Sequence, residues 1–411
     1  EKIAPFLAQQ DLARCLRVCR AWNQLFHLQF WTHLDIAWDG DNKTWQKNIG
    51  RALKNNENKR LVRSIKLKLH DDDHFDLFLK QCPRVFPLLT AVDLKAPFFE
   101  DYADHAILRF ANLSSKGWKR LVFRKMRGTM GILEFDKYPF EELLRCVAPT
   151  LEVFRTYSLS LVSMRVVNRL LCNAPNLKEL YIYGGADIAP DNWLDAEKIA
   201  SSRWVCKNLE VFGCSIGNIP RSDLTNEFGE TFAEMFGKTI QDSVALQNRI
   251  YAKLAQLTKL RELTLGFPLD VDEAVYEDRY REHYIRRNMQ HDCLAMTLES
   301  GLDRLKTLKN LRNFGGLEVM DVHIDGDKEK AWFAEHWPNV TFGVSDEIAN
   351  EENDDNSSDY WTSCEEDDDC DELDYGGEHD YDDEHDYGDN YGYGDEYDYG
   401  DDHDHGSEDN E

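Results

Sequence analysis

A short apolar pattern recurs through most of this chain and restricts the folds that it can adopt. The copies follow the form L-x-x-Φ-x-Φ with small departures, where Φ is an apolar residue. This alternation is typical of a short strand that sends every second side chain into a core. No copy can bury its apolar face alone, so we predict that neighbouring copies stack on one another. The copies are Leu61–Leu67, Leu88–Leu94, Trp118–Phe123, Leu151–Phe154, Leu177–Ile182, Leu209–Cys214, Leu260–Leu265 and Leu317–Val322.

Helical patterns lie between several of these strands and end at proline or at a polar residue. They cover residues 140–149, 166–175, 199–207 and 253–259. Strands and helices that alternate at a repeating interval are the signature of a solenoid. The motif and its helices resemble the leucine-rich repeat, and the resemblance implies an α/β leucine-rich-repeat solenoid over residues 37–345.

The spacing of the motif is irregular. Successive leading leucines are between 26 and 57 residues apart, whereas a regular repeat has about 20 to 29 residues. We therefore expect helical insertions in the long intervals, near residues 216–256 and 272–308. In the first of these, apolar residues from Phe228 to Val244 predict one amphipathic helix.

The first 36 residues carry apolar side chains three and four positions apart, which predicts two amphipathic helices. Gln9 and Gln10 form a polar break between them, and Asp11 is the predicted N-cap of the second helix. A segment this short cannot support a core of its own. Its apolar stripe must therefore face a partner chain, the next domain or both.

The same residues carry a resemblance to a known module. They are Asp11, Leu12, Val18, Cys19, Arg20, Trp22, Trp31 and Leu34. In this order they resemble the second half of the F-box, by which substrate adaptors dock on the Skp-type subunit of SCF ubiquitin ligases. Because the chain begins inside the family's first helix, the resemblance implies a truncated F-box over residues 1–36. The irregular repeats behind it are similar to those of fungal F-box proteins.

The resemblance assigns two roles within this segment. The residues expected to contact the Skp-type linker subunit are Ile3, Leu7, Leu12 and Leu16. Those expected to pack inside the F-box or against the first repeat are Val18, Cys19, Trp22 and Trp31.

The acidity of the chain is concentrated at its C-terminal end. The net charge is −29, yet residues 346–411 contain no Lys or Arg and carry more negative charge than the whole chain. The segment is a degenerate repeat of Asp, Tyr, Gly and His with almost no aliphatic residues. It cannot bury enough apolar surface to offset its chain entropy, so we predict a disordered tail.

Strand alternation also predicts which side chains face away from the core, on the concave side of a solenoid. The candidate client-binding residues on this face are Lys66, Lys68, Lys95, Arg120, Arg124, Arg155, Tyr157, Tyr181 and Tyr183. The same parity places Glu179, Glu262, Thr264, Asp321 and His323 there. The early strands are basic, which suggests a client that is acidic or phosphorylated. The alternative is a solvated row of Lys and Arg without a ligand.

The sequence carries no recognised catalytic motif, and we expect no enzyme, cofactor or bound metal. Its ten cysteines form no C-x-x-C pair and are typical of reduced thiols in a cytoplasmic or nuclear protein. No apolar run approaches the roughly 20 residues of a membrane span, and no strongly basic face indicates nucleic acid. Two functions remain: a substrate-recognition subunit of an SCF-type ligase, or a repeat scaffold that is not part of a ligase.

Overall fold

The computed structural model describes most of the N-terminal three quarters of the chain. The described residues are 7, 9–38, 50–69, 78–80, 85–96, 110–125, 143–157, 164–182, 194–214, 216–219, 221, 229, 231–235, 237–265, 294–315 and 327–342. The chain divides into two units, Glu1–Asp354 and Asp355–Glu411. The second unit and the predicted tail, 346–411, lie outside the described residues.

Helices and strands alternate along the first unit. The α-helices with defined bounds are α1 (Gln9–Cys15), α2 (Arg20–Thr32), α3 (Asn56–Lys59), α4 (Met164–Asn173), α5 (Ala196–Ser201), α6 (Phe232–Met235), α7 (Ile240–Leu254) and α8 (Asp327–His336), and Leu302–Thr307 is a 3-10 helix. The strands are β1 (His33–Trp38), β2 (Ser64–Leu69), β3 (Ala91–Ala96), β4 (Arg120–Lys125), β5 (Val153–Thr156), β6 (Glu179–Ile182), β7 (Leu194–Asp195), β8 (Val211–Gly213), β9 (Ile216–Gly217), β10 (Glu262–Thr264), β11 (Asn313–Gly315) and β12 (Thr341–Phe342).

Ten of these strands form one sheet whose spatial order follows the chain. The order is β1-β2-β3-β4-β5-β6-β8-β10-β11-β12, and every neighbouring pair is parallel. β7 and β9 pair separately. The protein is therefore a mixed α/β structure with a parallel sheet, behind a small helical region at the N-terminus.

A row of apolar side chains crosses the sheet, one from each strand except the last, β12. Pairing register aligns Leu34, Ile65, Val92, Leu121, Phe154, Leu180, Phe212, Leu263 and Phe314. None of these nine is more than 3% exposed, and all belong to one continuous apolar cluster. Each strand of the row thus buries its alternate side chains against its neighbours, as the sequence pattern predicts.

A repeated pattern of backbone hydrogen bonds is found just before the strands. The residue before each pairing segment accepts backbone hydrogen bonds from the next strand along the sheet. At the centre, the Lys119 carbonyl accepts from the backbone N–H groups of Glu152 and Val153, and the Glu152 carbonyl accepts from those of Lys178 and Glu179. The same bonds recur from Thr32 to Thr341. This continuous ladder gives successive copies the same local geometry, although the connections differ in length.

The structure corrects several predicted elements. β1 and β12 extend the sheet beyond the predicted series. The strand predicted at Leu317–Val322 lies outside the described residues. β11, which ends just before these undescribed residues begin, was not predicted. The single helix predicted in the first insertion is two helices, α6 and α7. Gly237, with a φ of 64°, separates them, and a capping box of Thr239 and Asp242 begins α7.

The second predicted insertion, 272–308, is described only from residue 294. That part contains the 3-10 helix Leu302–Thr307, so the predicted charged helix lies outside the described residues. α7 packs Leu246, Ile250 and Leu254 into the main apolar cluster. It therefore covers the sheet as a connecting helix between β8 and β10.

The two N-terminal helices are present, but their break differs from the prediction. Gln9 and Gln10 are helical, Asp11 lies in the first turn of α1, and its carboxylate accepts a 3.0 Å hydrogen bond from Arg14. The chain leaves helical geometry at residues 16–19. Since β1 follows α2 directly, the predicted boundary at residue 36 falls inside a strand of the large sheet.

The opposite face of the sheet carries a small aromatic cluster. Tyr181 is 1% exposed and packs with Val211 and Tyr157. Its ring lies directly over the backbone of Gly213, its partner on the next strand. A Cβ atom at this glycine would overlap the ring, so the close approach of Tyr181 requires glycine here.

We expect Gly213→Ala to lower the free energy of unfolding by about 1–3 kcal/mol, the usual cost of an overpacked site. Urea unfolding would measure it. The control is the same substitution in a Tyr181→Ala background, where the overlap is removed and the cost should largely disappear. Equal costs in both backgrounds would contradict the assignment.

Candidate protein-interaction sites

A group of apolar side chains on the N-terminal helices is exposed. Val18 is 62% exposed, Trp22 43%, Leu25 44% and Leu28 60%. We call these four residues the helical patch. The last three lie on α2 at intervals of three residues, and Val18 lies two residues before the helix begins. Adjacent exposed apolar side chains of this size typically mark an interaction site.

The predicted linker contacts have a different environment. Leu12 is 4% exposed and belongs to the main apolar cluster, and the half-buried Leu7 and Leu16 pack against it. Ile3 lies outside the described residues. The apolar side of α1 is turned toward the sheet, so Leu12 is covered by its own chain. This corrects the expectation that it offers a free surface to another subunit.

The predicted packing residues divide into two groups. Trp31 is 6% exposed and packs edge-on against Phe30, with ring centroids 5.0 Å apart. Val18 and Cys19 are exposed, and Trp22 is only partly covered by Phe26. The expectation of internal packing is therefore wrong for Val18, Cys19 and Trp22. The buried residues of α2 are instead Phe26, Phe30 and Trp31.

The outward face of the sheet has the parity that the sequence predicts, but not the expected exposure. Lys66 is exposed, whereas Lys68, Lys95, Arg120, Arg124 and Tyr157 are half-buried. Arg155 and Tyr181 are buried, and Tyr183, Asp321 and His323 lie outside the described residues. Alternation fixes the face that a side chain occupies, but neighbours decide how much solvent it meets.

Two of the predicted basic residues are held by carboxylates. Arg124 donates from Nε to Asp93 Oδ1 at 3.0 Å and from Nη2 to Asp93 Oδ2 at 3.2 Å. Its guanidinium lies 4.6 Å from the centre of the Tyr157 ring. Arg155, with its side chain 2% exposed, donates from Nη2 to Glu179 Oε2 at 2.8 Å. These pairs join neighbouring strands, so the face is not uniformly basic.

A groove of about 600 Å³ opens beside the N-terminal helices. Leu7, Leu12 and Gln29 form its helical wall. The first residues of β1 to β4 form the rest of its lining, which includes Asp35 and Lys66. The remaining members are His33, Leu34, Ser64, Ile65, Ala91, Val92, Asp93 and Arg120.

Sequence reasoning missed two acidic residues of this groove, Asp35 and Asp93. Asp93 follows from the parity already applied to Lys95 on the same strand. Asp35 could have been found only if β1 had been predicted as a strand. The alternating apolar residues Leu34, Ile36 and Trp38 were the available signal. In register, Asp35, Lys66 and Asp93 are direct neighbours on β1, β2 and β3.

Asp35 is solvent-accessible but recessed within the groove. Desolvation raises the pKa of its carboxyl above the ordinary 3.8, opposed by the positive charge of Lys66, with smaller effects from Asp93, which raises it, and Lys68, which lowers it. Among the described residues, no group donates a hydrogen bond to this carboxylate or forms an ion pair with it within 4.0 Å. The groove therefore holds a carboxylate that forms no ion pair among the described residues, although Lys66 lies beside it.

Three further features of the described residues concern metal ligands, thiols and helix hydropathy. No group of three or more His, Cys, Asp or Glu side chains there is arranged to hold a metal. Cys206 and Cys214 are buried, and burial raises the pKa of the Cys206 thiol to about 11. None of the helices described is long and apolar enough to span a bilayer.

The N-terminal geometry defines a short helical module that is packed on a parallel sheet and retains an exposed apolar patch. Comparison with known families matches residues 1–37 to the F-box-like family. The chain thus carries an F-box-like domain, which agrees with the resemblance found in its sequence. A search of curated proteins gave no match.

We expect Asp35→Asn to raise the urea midpoint of unfolding at pH 7. Because the folded-state pKa is raised, the ionised carboxyl is less favourable in the folded than in the unfolded chain. The gain should shrink as the pH falls through the raised pKa, and vanish well below 3.8, where Asp35 is protonated in both states. Asp303→Asn, in the 3-10 helix, is the matched control. A lower midpoint for Asp35→Asn at pH 7 would contradict this account.

Proposed function

We propose that this protein is a substrate-recognition adaptor of an SCF-type cullin-RING ubiquitin ligase. In this role its F-box-like domain docks on the Skp-type subunit, and the sheet behind it holds a client protein. The observation that carries the proposal is the helical patch, which lies within the segment that matches the F-box-like family. The adaptor itself performs no chemistry, because ligation is accelerated by bringing client and ubiquitin-loaded enzyme together.

The helical patch has the properties of a docking surface. Trp22 offers a large aromatic surface, and tryptophan is enriched among residues that dominate binding energy. Leu25 and Leu28 extend the apolar area along the same helix. Burial of this area would contribute about 25 cal/mol per Å² before the costs of association. Leu12 and Trp31, beneath the patch, hold the helices on the sheet.

We propose that the sheet is an irregular leucine-rich-repeat solenoid of the kind found behind fungal F-boxes. Three observations support this assignment: the recurring L-x-x-Φ-x-Φ motif, the parallel strands in chain order, and the hydrogen-bond ladder from Thr32 to Thr341. Repeat surfaces of this type function in recognition. The cysteine pattern supports action in the cytoplasm or nucleus.

A second candidate is a scaffold in which the helices only cap the repeats. The shared core favours it, since Phe26, Phe30 and Trp31 are buried in the same cluster as the sheet. A cap would bury its apolar surface, however, and the helical patch does not. We therefore favour the adaptor.

We expect the double variant Val18→Asp/Leu28→Asp to reduce co-purification with the Skp-type subunit at least about tenfold, because carboxylates would be buried without partners in an apolar interface. Both positions are about 60% exposed, so the fold should persist, which circular dichroism would check.

The matched control is Ile240→Asp. It places a carboxylate at another exposed apolar residue, 46% exposed, at the start of α7, where the helix dipole tolerates negative charge. This variant should retain the complex. Failure of the unsubstituted chain to form a complex, or equal retention by both variants, would favour the scaffold.

A further inference from the structure

We infer that the groove beside α1 binds a basic side chain of a client segment, with Asp35 as its ion partner and Leu7 and Leu12 as the apolar wall. The inference rests on the proposed function in one respect, namely that the sheet holds a client. It names the chemistry of that client at one position and reverses the acidic client expected from the sequence.

Asp35 is the feature that selects a cation. Its carboxylate forms no ion pair within the described part of the chain, although it lines the groove and partial desolvation there raises its pKa. An incoming ammonium or guanidinium would supply charge-assisted hydrogen bonds that this carboxylate lacks. The other carboxylate in the groove, Asp93, would gain fewer new hydrogen bonds from a cation, because it already accepts two from Arg124.

Two cations also line the groove, and neither forms an ion pair with Asp35 in the described part of the chain. Arg120 lies on β4, three strands away from Asp35. Lys66, between Asp35 and Asp93 in register, is exposed and can move its ammonium into solvent. His33 is held by Ser64, with Nδ1 and Oγ 2.7 Å apart. A carboxylate or phosphate at Lys66 would lie within about one strand spacing, 4.8 Å, of the Asp35 strand. It would therefore lie beside the like charge of Asp35.

The apolar wall of Leu7 and Leu12 determines which side chains can lie beside the basic group of the ligand. Leu12 is buried by its own chain except where it meets the groove, and Leu7 packs beside it. The methylene stem of Lys or Arg, or an adjacent apolar residue, can contact this wall while the charge reaches Asp35. The volume, about 600 Å³, admits a short extended segment rather than a single ion. The preferred segment thus has a basic residue beside apolar ones.

The test uses fluorescent synthetic peptides of about seven residues and the full chain. Arg, Lys, Glu or phosphoserine is placed at the centre, with either Leu or Ser on both sides, and anisotropy gives each affinity at one ionic strength. We expect the Arg and Lys peptides with Leu neighbours to bind most tightly. Asp35→Asn should weaken their binding about tenfold, and Lys66→Gln should leave it equal or stronger.

Tightest binding of the Glu or phosphoserine peptides, loss of binding in Lys66→Gln, an unchanged affinity in Asp35→Asn, or no binding of any peptide would overturn the inference. Asp303→Asn should match the unsubstituted chain. The Skp-type subunit takes no part in this assay. Failure here therefore leaves the adaptor role intact, and loss of the adaptor role leaves the peptide result standing.

Discussion

The apolar row that runs from Leu34 to Phe314 is the interaction on which the rest of the structure depends. Each residue of the row is buried only because the neighbouring strand supplies the next one in register. A slip of one residue at any strand would turn its apolar side chains outward and its charged ones inward. The row therefore fixes register across the sheet, and with it the face on which Lys66, Arg124 and Asp35 lie.

The same core decides which N-terminal residues remain free. α1 and α2 have more apolar side chains than one contact with the sheet can cover. Leu12, Phe26, Phe30 and Trp31 are used against the core, and this leaves Val18, Trp22, Leu25 and Leu28 on the outside. One short segment thereby has two surfaces: one packs at the end of the sheet, and the other leaves an apolar patch exposed. The F-box-like match over residues 1–37 agrees with this arrangement.

Charge on the outward face is organised across strands rather than within them. Arg124 with Asp93, and Arg155 with Glu179, link neighbouring strands. Just before the strands begin, Lys119 and Lys178 both bind Glu152, which lowers the pKa of that carboxyl. Asp35 departs from this pattern, since its position beside Lys66 does not bring the two into an ion pair. A group that costs stability and lines a groove is the kind of exception expected at a binding site.

The sequence by itself determined seven of the eight repeating strands, the side of the sheet that their described residues occupy, and the F-box-like nature of the first segment, because period and local motif are properties of neighbouring residues. It did not determine exposure. Tyr181 was expected on the open face and is there, but the absence of a side chain at Gly213 lets its ring lie flat and become buried. Leu12 was expected at a partner surface and is buried, whereas Trp22 was expected to be packed inside and is exposed. The reason is that the apolar side of α1 faces the sheet, and no local sequence pattern encodes that orientation. The partners of Arg124 and the isolation of Asp35 were likewise decided by tertiary structure, since they depend on strands that are distant in the chain and adjacent in space.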